Sequence, residues 1–269
     1  MKKWMSLVVL SFVLVAWGCG GGGGEAPKAS SPAKAPAAPA GTDAKPVASG
    51  GAAADAAPGT IKGRINYSGP KPRVQNIRMS ADPYCDKANE GGAKRMTPLV
   101  ADDGALADAF VYIKSGLAKA YPVPSEVVTL NQVACNYTPN VLGAMAGQPI
   151  EITNSDSTLH NVHSLPENSK GFNLGMPTKG MKSTRKFAEP EIFVRIKCDV
   201  HPWMETYVGV TDNPFHAVTS ADGSFEIIGV PPGEYEIEAA HPRTGRATAT
   251  VTVESGGSAT AEFDLDAKK

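Results

Sequence analysis

The chain has 269 residues, room for one or two domains at the usual domain size. Hydrophobic residues make up 42% and charged residues 20%, enough for a packed core, and 26 Lys+Arg against 27 Asp+Glu leave a net charge of −1. That balance argues against nucleic acid as a partner, which calls for a basic excess. A single apolar segment, at the extreme N-terminus, excludes a polytopic membrane protein.

The first elements read as an address and a spacer. Lys2 and Lys3 precede the apolar run Met5–Trp17, which is too short for a comfortable transmembrane helix. Ala16-Trp17-Gly18-Cys19 follows and resembles a bacterial lipobox. The resemblance makes residues 1–19 a lipoprotein signal peptide and Cys19 the lipidation site. It implies a lipid anchor in the cell envelope, facing the periplasm or the outside. An ordinary signal peptide cut nearby is the alternative, and either one exports the chain to where disulfides persist. In residues 20–59, Ala, Gly and Pro fill 29 of 40 positions, so the segment reads as a disordered linker.

From residue 60 onward the pattern is all-β. Helix signals are scarce, and short runs of period two recur between turns. Ile61–Tyr67, Phe110–Ile113, Val127–Leu130, Pro149–Thr153, Ile192–Ile196 and Tyr207–Val210 read as strands. The turn Ser220–Ser224 feeds Phe225–Ile228, and Pro231-Pro232-Gly233 feeds Tyr235–Glu238. Ala247–Val253 and Ala259–Leu265 follow. Many short strands at this spacing indicate a sandwich or barrel.

Two turn motifs near the end are T-x-x-D-G-x-F at Thr219–Phe225 and V-P-P-G-x-Y at Val230–Tyr235. They resemble the carboxypeptidase regulatory-like, transthyretin-related sandwich. That family opens with strands like Ile61–Tyr67 and Phe110–Ile113, which here lie far upstream of their continuation. The resemblance implies one small sandwich from residues 60–120 and 214–266, with a second domain, 121–213, inserted. Two domains in sequence is the alternative.

The middle segment holds the chemistry. His160-Asn161-Val162-His163 follows a strand and the polar turn Asn154-Ser155-Asp156, and Cys198-Asp199-Val200-His201-Pro202-Trp203-Met204 comes later. Thiolate, thioether and imidazole together suit copper, and His₂Cys with a weak Met is a blue-copper arrangement. Zinc is the rival, but structural zinc rarely takes Met. The stretch resembles a cupredoxin, with the amicyanin-type loop C-x-x-H-P-[FW]-M and an H-N-V-H run. The resemblance implies a Greek-key sandwich and one type 1 copper on His160, Cys198, His201 and Met204. It also implies that Asn161 ties the two ligand loops by hydrogen bonds. His163, read as facing the same side of its strand, is the possible alternative ligand. The resemblance further implies that His201 reaches the surface as an electron port, within a docking patch of Pro202 and Trp203.

Cys198 must stay a thiolate to bind metal. With Cys19 lipidated, Cys85 and Cys135 are left as a disulfide pair or as two buried thiols. His216 and His241 lack Cys or Met neighbours and read as surface or partly buried residues. No hydrolase, nucleotide-loop or zincin motif is present, so the chain reads as a non-enzyme. Three functions fit: a one-electron carrier between redox partner proteins, a copper storage or delivery lipoprotein, and a structural envelope lipoprotein.

Overall fold

A computed structural model describes residues 56–90 and 92–267. The expectations for Cys19, for residues 1–19 and for all but the last few residues of the linker lie outside the described residues. In chain order the elements begin with β1 (Gly59–Tyr67), β2 (Val74–Ile77), α1 (Pro83–Ala88), β3 (Ala93–Met96) and β4 (Phe110–Ser115). Then come β5 (Val128–Val133), β6 (Asn136–Thr138), β7 (Val141–Met145), β8 (Ile150–Asn154) and β9 (His160–Leu165). They are followed by β10 (Asn173–Met176), β11 (Lys182–Arg185), β12 (Glu191–Lys197) and β13 (Glu205–Thr211). The last are β14 (His216–Val218), β15 (Ser224–Val230), β16 (Gly233–Ala240), β17 (Arg246–Val253) and β18 (Ser258–Leu265). The fold is all-β apart from one short helix among the described residues.

Two sandwiches result, each with its own core. The first pairs the sheet β15-β1-β18 with the sheet β14-β4-β16-β17. It takes β1 and β4 from before the middle strands and β14–β18 from after them. β1 runs antiparallel to β15 and parallel to β18, with Thr60 opposite Ser258 and Tyr67 opposite Leu265. Alternation buries one face, so Ile61, Ile65, Val111, Ile227, Ile237 and Phe263 meet between the sheets. Each fully buried side chain of this size contributes about 1.5–3 kcal/mol.

The second sandwich packs β10-β9-β12-β13-β7 on β11-β8-β5-β6. β5–β8 and β7–β13 are parallel pairs within otherwise antiparallel sheets. Its core also takes in Met79 and Cys85, with Ile77, Tyr84 and Ala93 packed against it. The expected domain segment 60–120 therefore divides. Its two ends join the first sandwich, whereas α1 and the β2–β3 ribbon side with the second. The cause is covalent: a disulfide joins Cys85 of α1 to Cys135 in the β5–β6 turn.

The sandwiches meet at a joint that needs glycine. The Phe110 ring, fully buried, lies over Gly209, where a Cβ would come within 2.6 Å of it. A Cβ at Gly143 would stand 2.4 Å from the His216 ring. His216 is thus half-buried at this joint, and His241 is buried.

Candidate metal centre

Cys198 lies just past the end of β12, and the chain folds back at once into β13. The Cys198 N–H donates to the Met204 carbonyl at 3.1 Å, and the Met204 N–H donates to the His201 carbonyl at 2.9 Å. The His201 N–H points at the Cys198 sulfur, 3.4 Å away. The loop is therefore closed by its own backbone, with Pro202 fixing one φ. His160 opens β9, which pairs with β12 and so stands beside the cysteine strand.

These elements bring two imidazoles and a thiol together. His160 Nδ1 lies 3.0 Å from His201 Nδ1, and Cys198 Sγ lies 3.8 Å from His201 Nδ1. The three ligand atoms lie within 4.8 Å of one another, and all three residues are buried. Donors about 2.0–2.3 Å from one metal ion in a trigonal array would stand roughly 3.5–3.8 Å apart; the sulfur–nitrogen separation matches, and the two imidazoles need to part by only about half an ångström to admit an ion, so the donor set fits. Cys198, Met204 and Tyr137 belong to the same buried cluster, and Met204 is fully inaccessible. The cluster is a candidate copper centre.

Electrostatics prepare the thiolate. Burial opposes ionisation of Cys198, but hydrogen bonds from His160 and from the N–H groups of His201, Asn161 and Val200 hold its pKa below the ordinary thiol value. Burial likewise opposes a charged His160, yet Asp156 and Cys198 push its pKa up to about 9. For His201, burial prevails over Asp82 and lowers the pKa. Asn161 bridges the ligand segments: its Oδ1 accepts the Asp199 N–H at 2.8 Å.

Two expectations are corrected here. His163 lies three residues beyond His160, and an odd offset along a strand puts the two on opposite faces. Its Nδ1 pairs with Asp199 at 2.9 Å on the outer face, so it is not in the cluster. His201 does not reach the surface either: it is 2% exposed. Helix α1 and its disulfide cover the outer imidazole edge, with Cys85 Sγ 3.6 Å from His201 Nε2. Of the expected docking patch, Pro202 is exposed. Trp203 is half-buried, its ring 5.1 Å from that of His201 and its indole N–H on the Cys135 carbonyl at 3.0 Å.

What covers the imidazoles is a polar cap that the sequence reading missed. Asp82 caps α1, its Oδ1 accepting the Tyr84 and Cys85 N–H groups at 2.8 and 3.1 Å. Its Oδ2 accepts from the Thr158 hydroxyl at 2.7 Å and stands 3.1 Å from His201 Nε2. Although burial opposes it, these bonds bring the Asp82 pKa down to about 2. Asp156 accepts the Ala134 and Cys135 N–H groups, both at 2.8 Å, and its Oδ2 stands 2.8 Å from His160 Nε2. Ala134 and Cys135 offer those N–H groups because both have positive φ, +48° and +56°. L-residues adopt this at a cost of about 1–2 kcal/mol each, and the disulfide and the carboxylate hold the turn there. One signal was available: Asp82-Pro83 is an N-cap followed by Pro at the first helical position.

Residues 206–266 match the family model of the carboxypeptidase regulatory-like domain. The match begins inside β13, a strand of the second sandwich, and leaves out β1 and β4, which complete the first. No curated protein matches the chain. Structural neighbours include cupredoxins. The purple cupredoxin from Nitrosopumilus maritimus is 26% identical over 31% of this chain and 99% of that one, with a TM-score of 0.28. Amicyanin from Paracoccus versutus is 24% identical over 37% and 96%, with a TM-score of 0.29. The copper-containing nitrite reductase from Thermus scotoductus SA-01 is 20% identical over 36% of this chain, with a TM-score of 0.30. The chain spans about a quarter of that reductase's length.

Proposed function

We propose that the chain is an exported, membrane-tethered type 1 copper protein that carries single electrons between redox partner proteins. His160, Cys198 and His201 would hold one copper, with Met204 as the weak fourth donor. When bound, the ion supplies a Cu(II)/Cu(I) couple. The chain's own residues prepare the place. Asn161 fixes the two ligand segments to each other, and the backbone of residues 198–204 fixes the loop. The buried core around Met204 and Tyr137 keeps water out.

The observation that carries this reading is the convergence of His160 Nδ1, His201 Nδ1 and Cys198 Sγ in one buried, hydrogen-bonded pocket. A lipid on Cys19 and the linker 20–59 would hold the head at the envelope membrane. Residues 121–213 are read as a copper domain inserted between the two parts of the regulatory-like sandwich. Pro202 and the open edge of Trp203 would meet the partner. The disulfide-fixed cover over His201 supports retention of the ion over storage and hand-over.

The test is Cu(II) titration of the full chain, followed by visible absorption. An intense band that saturates at one copper per chain and bleaches with reductant is expected. Copper binding without that band would overturn the carrier reading in favour of storage or delivery. Failure to bind copper would leave the structural reading.

A further inference from the structure

We propose that Asp82 and Asp156 are a matched pair of positioning residues that turn both imidazoles the same way and bias the centre towards the oxidised metal. The proposal rests on the copper reading above. A neutral imidazole has one donor and one acceptor nitrogen, and its partners decide which is which. A carboxylate only accepts. Asp82 Oδ2, 3.1 Å from His201 Nε2, and Asp156 Oδ2, 2.8 Å from His160 Nε2, therefore place a proton on each Nε2. Both Nδ1 atoms are thereby turned towards the thiol, 3.0 Å apart, a separation that one shared proton bridges until a metal ion takes its place.

Neither carboxylate is a chance neighbour. Asp156 is 1% exposed and receives three further hydrogen bonds, from the Ala134 and Cys135 backbone and from the Tyr84 hydroxyl at 3.1 Å. Asp82 is held by the α1 backbone and Thr158. Tyr84 joins the two halves, because its own N–H bonds Asp82 while its hydroxyl bonds Asp156. The disulfide fixes α1 and the Ala134–Cys135 turn to each other, so one covalent link sets the spacing of both carboxylates. Two negative charges behind two imidazoles make both nitrogens stronger donors, which favours Cu(II) more than Cu(I).

The experiment uses the full chain and three measurements. Nitrogen NMR of the metal-free protein reads which ring nitrogens carry protons, and Nε2–H is expected on both His160 and His201, with any additional proton shared between the two Nδ1 atoms. Asp82→Asn and Asp156→Asn are then compared with the parent for Cu(II) affinity, Cu(I) affinity and midpoint potential. Asn is as good an N-cap as Asp, so α1 is retained, and thermal unfolding checks this. Each variant is expected to lose about 10–100-fold in Cu(II) affinity and clearly less in Cu(I) affinity. A tenfold difference between the two losses raises the potential by about 59 mV. Equal losses for both oxidation states, or an unchanged potential, would overturn the bias. Either ring lacking a proton at Nε2 would overturn the positioning. If the parent chain binds no copper, the copper reading fails, and the NMR result still decides the positioning.

Discussion

The two sandwiches differ in what they bury. The one completed by the terminal strands has a core of aliphatic and aromatic side chains, closed at its turns by short polar contacts such as Ser220 and Ser224 on Asp222. The middle one buries Gln132, Asn154, Asp156, His160, Asn161 and His201, most of them at or near one end. The one three-donor cluster among the described residues that uses a free cysteine, His160, Cys198 and His201, lies in this sandwich, and the two others each count a sulfur of the Cys85–Cys135 disulfide. Buried polar groups cost stability unless paired. The first sandwich buries polar groups too, Thr219, Glu238, His241 and Thr244, but among the described residues they form no three-donor cluster.

Substitutions can break that contrast. The largest effect is expected from Cys198→Ser, which removes the thiolate and with it the intense visible band of the copper-loaded chain; absorption spectra check this. Next, replacing Cys85 and Cys135 together by Ala opens a link spanning 50 residues. By loop-closure entropy this lowers stability by about 4 kcal/mol, read by denaturant unfolding, and it uncovers His201 while the first sandwich is untouched. Third, Gly209→Ala drives a methyl into the Phe110 ring and should cost about 1–3 kcal/mol. That loss would appear in thermal unfolding with little change at the copper site, because it strikes the joint.

Two finer tests sharpen the comparison. Burial at the joint lowers the His216 pKa below the ordinary 6.5, so the folded state favours the neutral ring. Its contribution is complete above pH 6.5 and is lost as the pH falls below that value. Stability measured from pH 7 downward should fall less steeply in His216→Gln than in the parent. The smallest effect is expected from His163→Ala. The His163–Asp199 pair is part-exposed, and such pairs contribute about 0–1 kcal/mol. The visible spectrum should be unchanged, and a bleached one would return His163 to the ligand set.

The sequence is unevenly legible for a physical reason. Strands with one buried face, such as β15 and β18, announce themselves by alternation. β1 and β4 were legible too, and their pairing with the terminal strands follows motifs at Thr219–Phe225 and Val230–Tyr235. The four expected ligand types stood out because thiol, thioether and imidazole are rare together. What escaped were short elements, most without a repeating pattern: β2, β3, β6, β7, β10, β11, β14 and α1. The cap fell with them. Asp82 reaches His201 only because a disulfide brings α1 across, and Asp156 looked like an ordinary turn residue. The Ala134–Cys135 turn was invisible because neither residue favours positive φ. The surface position expected for His201 failed because nothing local in its loop records a helix far upstream folding over it.

The parallel pairing of β1 with β18 has a consequence for how the molecule is made. β1 is the first strand of the described chain to leave the ribosome, and its partner in register is the last. Contacts between such distant segments form late. Every strand of the sandwich that holds the candidate metal centre, and both halves of its disulfide, are therefore synthesised while β1 still lacks both of its sheet neighbours. The chemistry can be assembled before its support is closed, and any truncation that removes Ser258–Leu265 strands β1 with half of its pairing unmet.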